Sequence, residues 1–313
     1  MNRPRHSPEG FRRLMQMSAS RAFILVEGRD TDVFFYDEIC RPVCEAASVP
    51  YDVVRADRVS TGGGKSALLD LYSFLKAKHS LINCWKGVPK VCIFYLDKDV
   101  DDVLKSTLHS LHIVYTPSYN VENLLFALAD LVRAAAAASS LAASHLQPRI
   151  VDSAAWTRRV ADLWKDFVTL CLFSLKHRAN CDCTYACSTS PLNLPPDAPA
   201  IPAEIDARKA QVRQLLGLSE PQFERLYGAA SRLVERIYRA GRHDVIFNGK
   251  WYRAAMIREI QLAAGSAYKP HALSNSIMAA LRATLDFSGT WADHFRRPLQ
   301  ELLVISVTAP PNS

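Results

Sequence analysis

Three acidic side chains stand where the sequence could do chemistry. Glu27 closes the apolar run Ala22-Phe23-Ile24-Leu25-Val26 and is followed by Gly28. Asp97 and Asp99 flank Lys98 at the end of a second run, Val91-Cys92-Ile93-Phe94-Tyr95-Leu96. An unbroken apolar run that stops at a charge is the pattern of a strand buried on both faces of a parallel sheet. Two apart at a strand end, Asp97 and Asp99 can fall on one side while Lys98 points away. Hard carboxylate oxygens from two neighbouring strand tips suit one or two Mg²⁺ or Mn²⁺ ions. Such ions activate water and neutralise charge on a phosphoryl group in transfer. The same acids also serve as solvated loop residues or helix caps, and Asp101 is a further candidate ligand, read first as solvated.

Two further motifs suggest ligands. Gly62-Gly63-Gly64-Lys65-Ser66 resembles a P-loop, but the Walker spacing needs a glycine where Val59 stands. Its glycines can still turn backbone N–H groups toward a nucleic-acid phosphate, with Lys65 and Ser66 alongside and Lys98 a second cation. His177, Cys181, Cys183 and Cys187 form H-x3-C-x-C-x3-C, four soft ligands for a structural zinc ion. That spacing lacks the paired C-x2-C form, and cysteines inside apolar patterns are commonly packing residues.

The elements that must position these residues follow from periodicity. Strands are expected at 21–27, 51–55, 91–96 and 112–115, alternating with helices after Asp32 and after the glycine loop, and a short helix around 103–110. Such alternation predicts an α/β fold with a parallel sheet, and right-handed crossovers place the tips at Glu27, Asp97 and Thr116 on one edge. Residues 1–20 read as a basic leader with a helical turn, and 21–149 as the catalytic domain. A long helix is expected from Tyr119 through the alanine-rich stretch, and Pro42 is expected to disturb the helix after Asp32. Segment 150–190 is helical around Trp156–Lys176. Five prolines between Pro191 and Pro202 make 191–203 a linker. Residues 204–313 form a mostly helical C-terminal domain, with helices expected over 204–216, 220–239, 250–263, 273–285 and 291–306.

The chain of 313 residues is 49% hydrophobic and 22% charged. That composition excludes a disordered chain and leaves room for a large core. An excess of 38 Lys+Arg over 31 Asp+Glu gives a net charge of +7. The sign favours a polyanionic partner. Arg232, Arg236, Arg239, Arg242 and His243 could line part of a basic surface. No apolar stretch is long enough for a membrane span, and no apolar segment follows the N-terminal arginines as in a secretory signal. Eight cysteines without a secretory address imply a reduced, cytoplasmic setting.

Together, Val26-Glu27-Gly28, Asp97-x-Asp99, the glycine loop and Tyr119-Asn120-Val121-Glu122-Asn123 resemble the TOPRIM domain, the Rossmann-like fold shared by topoisomerases, primases and OLD-type nucleases. Within it, they are most similar to TOPRIM nucleases of bacterial anti-phage systems that work beside an ABC-type ATPase. The likeness spans about residues 20–130 and touches the second half at Asn248-Gly249-Lys250-Trp251. It implies Glu27 as general base or metal ligand, Asp97 and Asp99 as ligands, and Glu122 in support. The family carries an acid four residues after its glutamate, whereas here Asp30 and Asp32 lie three and five after Glu27; Asp32 is taken for the place. The resemblance further implies a toxic effector cleaving RNA such as tRNA, restrained by the ATPase, and is compatible with a homodimer. The alternative is a non-hydrolytic TOPRIM-like module that docks on an ATPase or nucleic acid. Strand chemistry of the topoisomerase or primase kind is a third, weaker reading, and the chain lacks a topoisomerase's gate domains.

Overall fold

A computed structural model describes residues 6–28, 31–59, 63–185, 202–265 and 270–308. The chain forms an α/β part with a largely parallel sheet, and a helical second half. Its contacts divide it into two units that interleave along the sequence.

The first unit comprises Met1–Asp97, Thr107–Thr116 and Asp286–Ser313. Its elements are α1 (Pro8–Met17), β1 (Ala22–Val26), α2 (Asp32–Ala46), β2 (Tyr51–Arg55), α3 (Gly64–Ala77), β3 (Ile82–Trp85), β4 (Val88–Leu96) and β5 (Ile113–Tyr115). Strand β1 lies between β2 and β4, parallel to both, and β5 runs parallel to the end of β4. Strand β3, which the periodicity does not predict, is antiparallel to the beginning of β4. Lys86 and Gly87 join them with φ of 50° and 78°. Two positive φ values in a row are the conformation of a tight hairpin turn.

All five residues of β1 are buried because both sheet faces are covered. Phe23 and Leu25 with Cys92, Phe94 and Leu96 pack against α1 and α3 through Phe11, Met15, Leu68 and Leu71. On the other face Tyr95 stacks on Tyr36 of α2, with ring centroids 4.6 Å apart. The last helix of the chain packs on β4 and α2, and its Phe295 carbonyl accepts a 2.8 Å hydrogen bond from Tyr95 Oη.

The second unit comprises Lys98–Ser106 and Pro117–Leu285. It holds α4 (Val121–Leu128), α5 (Leu131–Ser139), α6 (Ala143–Leu146), α7 (Ser153–Leu163), α8 (Lys165–Lys176), α9 (Pro202–Leu215), α10 (Glu220–Arg239), α11 (Lys250–Ala264) and α12 (Pro270–Thr284). The final helix, α13 (Asp293–Thr308), belongs to the first unit. Phe126, Trp156 and Tyr252 form one aromatic centre of the helical unit. A second core joins Leu170 and Phe173 of α8 to Val212 and Phe223.

Several expectations are corrected. The leader is a ten-residue helix whose Phe11 and Met15 are buried, with Ser7 capping its start. Helix α2 runs through Pro42. No helix forms around 103–110: Asp99 and Lys105 take positive φ, so residues 99–105 coil in turns. The long helix after Tyr119 is broken, because Ala129 is extended and the Asp130 carboxylate caps a new helix at Arg133 N. Trp164 likewise divides the helix expected over 156–176. The linear domain scheme gives way to interleaving, since 117–149 joins the helical unit and 286–313 the sheet unit. The proline-rich linker lies outside the described residues up to Ile201. Among the described residues no helix is long and apolar enough to cross a membrane.

Candidate functional site

The parallel register carries the three strand tips to one sheet edge. Val26 is opposite Tyr95, and Leu96 is opposite Tyr115, so Glu27, Asp97 and Thr116 each follow the last paired residue of a strand. Glu27 Oε1 accepts a 2.8 Å hydrogen bond from Asp97 N–H, which pins the carboxylate over the end of the neighbouring strand. Thr116 N–H donates to Leu96 O at 2.9 Å and continues the ladder.

Asp32 is the first residue of α2 and is only 9% exposed. Its Oδ2 accepts from Gly28 N–H at 2.7 Å, and a Cβ on Gly28 would stand 2.8 Å from that carboxylate. A side chain at Gly28 would press on that carboxylate and disturb its hydrogen bond, and the helix N-terminus favours the acid's charge. Asp30, the other acid considered for this place, lies outside the described residues.

One turn along α2, Tyr36 reports what these acids do together. Its hydroxyl is buried and has no hydrogen-bond partner. Burial raises the phenol's pKa well above its usual range, and the charges of Asp97, Asp32 and Glu27 add to the rise. Three carboxylates thus bear on one orphaned hydroxyl. Among the described residues no three His, Cys, Asp or Glu side chains close around an ion. The donors fit a hard divalent ion of the Mg²⁺ type, which is held by one or two carboxylates and otherwise by water and substrate oxygens. Glu27 and Asp97, at the tips of adjacent strands, are the side chains that could hold it.

The boundary between the units falls inside the Asp97-Lys98-Asp99 triplet. In the second unit Asp99 has φ 52° and its N–H donates to Tyr119 O at 2.7 Å. Lys98 Nζ donates to Pro117 O at 2.9 Å and lies 3.7 Å from Asp102, so this cation braces its own loop. Glu122 sits half-buried in the first turn of α4.

The flanking asparagines form a network. Asn120 and Asn123 cap α4 reciprocally at 3.2 Å. Asn120 Nδ2 donates to Asn248 Oδ1 at 3.1 Å, and Asn123 Nδ2 donates to Phe247 O at 3.0 Å. Gly249 N–H returns to Asn123 Oδ1 at 3.1 Å. The two sequence segments set apart by their resemblance, 119–123 and 248–251, are thus stitched together across the helical unit. Such a network in a low-dielectric interior is stable only when every member is satisfied.

Other expected ligands are dispersed. Gly63 and Gly64 both have positive φ and open α3, with Lys65 half-buried and Ser66 exposed; Gly62 lies outside the described residues. Cys183 packs beside Leu170 and Phe173, and burial pushes its thiol up to about 11. His177 lies against the Phe173 ring at 4.5 Å, and desolvation lowers its pKa. Cys187 falls outside the described residues, and His177, Cys181 and Cys183 do not assemble a metal group.

Sequence reasoning missed Tyr36, Asn120, Asn123 and Asn248 as working residues. Tyr36 falls within an apolar helix stripe, and its hydroxyl carries no spacing signal. No protein-family model matches the chain, and no curated protein matches it.

Proposed function

We propose that this protein is a metal-dependent phosphodiesterase of the TOPRIM type, acting on RNA as the toxic effector of an anti-phage system and restrained by an ABC-type ATPase. The observation that carries the reading is the Glu27 carboxylate held at 2.8 Å on the Asp97 backbone N–H, with Asp32 and the Tyr36 hydroxyl behind it. Glu27 and Asp97 would hold Mg²⁺, which when bound supplies charge neutralisation at the scissile phosphate and a more acidic water. Glu27, oriented by the Asp97 N–H, takes up the proton of the attacking water as its oxygen bonds to phosphorus; the P–O bond to the leaving nucleotide breaks and that oxygen is protonated from solvent. Asp32 keeps the Gly28 turn closed, so that Glu27 leaves the strand in one direction. The net charge of +7 draws in the polyanion.

Glu27→Gln keeps an acceptor for Asp97 N–H and removes the base. Purified with Mg²⁺ and total RNA, this variant is expected to cleave at least 100-fold more slowly than wild type at an unchanged melting temperature. Cleavage at the wild-type rate would overturn the mechanism. A second reading has one observation in its favour: Glu27 and Asp32 each already serve a backbone N–H. They could be purely structural in a non-hydrolytic module that docks on an ATPase or nucleic acid. Calorimetric titration with Mg²⁺ separates the two, because absence of binding favours the module.

A further inference from the structure

A cavity of 1160 Å³ lies wholly within the helical unit, between the end of α8 and the start of α11. Its wall includes Ser174, Arg178, Tyr185, Lys250, Trp251 and Arg253. Three features of the wall call for a ligand. Ser174 Oγ and Tyr185 Oη are buried with no hydrogen-bond partner, although Ser174 is 1% and Tyr185 7% exposed. A buried hydroxyl left unpaired is destabilising, so native proteins retain few of them.

Next, Lys250 and Arg253 stand in the first turn of α11, a fifteen-residue helix with no acid there. Cations at the positive end of a helix dipole are unfavourable unless an anion sits beside them. Backbone groups cannot be what binds that anion. Gly249 N–H goes to Asn123 Oδ1, Lys250 N–H to Asn248 Oδ1 and Trp251 N–H to Asn248 O. Of the cavity's cations, the guanidinium groups of Arg178 and Arg253 are the ones it offers an anion. Asp99 and Asp101, also on the wall, leave the cations in excess by one.

The third feature is an aromatic wall. The Tyr185 and Trp251 rings lie nearly parallel, 6° apart with centroids at 5.9 Å, and Tyr119 leans on Tyr185 at 5.1 Å. Asn248 fixes this wall by donating to Tyr185 O at 2.7 Å while accepting from Lys250 N–H at 3.0 Å. Cations for a phosphate, hydroxyls for a sugar or base edge, and flat rings for a base describe one ligand class. We infer that the cavity binds a nucleotide unit. That group can come as a free nucleotide or as one residue of a single strand; the choice of strand rests on the hydrolase reading above.

The test uses the full chain in EDTA, so binding is read apart from cleavage and survives or fails independently of the hydrolase. An eight-nucleotide fluorescent oligoribonucleotide is followed by anisotropy, and adenosine 5′-monophosphate by equilibrium dialysis. Arg253→Ala and Arg178→Asn are expected to weaken oligonucleotide binding at least tenfold; asparagine tolerates the positive φ at position 178. Arg225→Ala, on an exposed face of α10, should change it less than twofold. Ser174→Ala is expected to weaken binding about threefold without lowering the melting temperature, a pairing that a purely structural hydroxyl would not give. Monophosphate binding as tight as the oligonucleotide, abolished by the same variants, would assign the site to free nucleotides and overturn the strand. Binding of neither probe, or equal binding by the arginine variants and wild type, would overturn the site.

Discussion

At the scale of single residues, Tyr36 separates architecture from chemistry. Its buried hydroxyl has no partner, so Tyr36→Phe removes an unsatisfied group. Urea unfolding should show stability unchanged or raised by up to about 1 kcal/mol. If the strand-edge acids form the proposed hydrolytic site, cleavage should fall in the same variant. Gly249 makes the opposite case. A Cβ there would stand 2.4 Å from Asn123 N and 2.5 Å from Asn120 Oδ1. Gly249→Ala should therefore cost about 3 kcal/mol through overpacking and lost hydrogen bonds, read as a lower denaturation midpoint. Glu27 is legible in the sequence because an apolar run ends on it. The hydrogen bond from Asp97 N–H is not, since it depends on which strand lies next to β1.

Elements are legible where one period dominates and illegible where turn chemistry decides. Helix α10 has the bounds its sequence predicts, because Ser219 precedes it and its apolar residues recur at helical spacing. Strand β3 escapes notice because Ile82, Asn83 and Cys84 are only half-buried. Its hairpin also turns on Lys86-Gly87 rather than the more familiar Asn-Gly. The break between α4 and α5 turns on Asp130, whose capping role competes with an alanine-rich stretch of high helix propensity. Beyond α10, the short 3₁₀ turn His243–Val245 carries a pH prediction. Burial, helped by the charge of Arg158, lowers the His243 pKa to about 4. The unfolded chain, with an ordinary value near 6.5, then binds the proton more readily than the folded one. His243 therefore costs no stability above about pH 6.5, and stability falls as pH drops from there toward about 4. His112 and His177 are shifted in the same direction by burial and steepen the loss. Melting temperatures of His243→Gln and wild type should show a shallower decline across that same pH window for the variant.

For the molecule as a whole, the charge of +7 makes any nucleic-acid affinity a function of salt. Three cations stand on the cavity wall. If a single strand enters that cavity, each would displace a counterion from it, together contributing a slope of about −2 in log affinity against log salt. Arg253→Ala should flatten the slope by about 0.7, measured by anisotropy across a salt series. The interleaving of the two units also bears on how the protein is made. Strands β1 and β4 emerge from the ribosome early, yet Tyr36 and Tyr95 finish packing only against Phe295 of α13. Between Thr116 and Asp293 the rest of the helical unit, from Pro117 to Leu285, must be synthesised, roughly 9–35 s at bacterial or eukaryotic elongation rates. Nascent chains released before Thr290 should leave the sheet unit sensitive to protease, whereas release after Thr308 should protect it. If the protein is the effector proposed above, its fragments would lack the last packing partner of Tyr36, the tyrosine on which the edge acids act, until translation is nearly done.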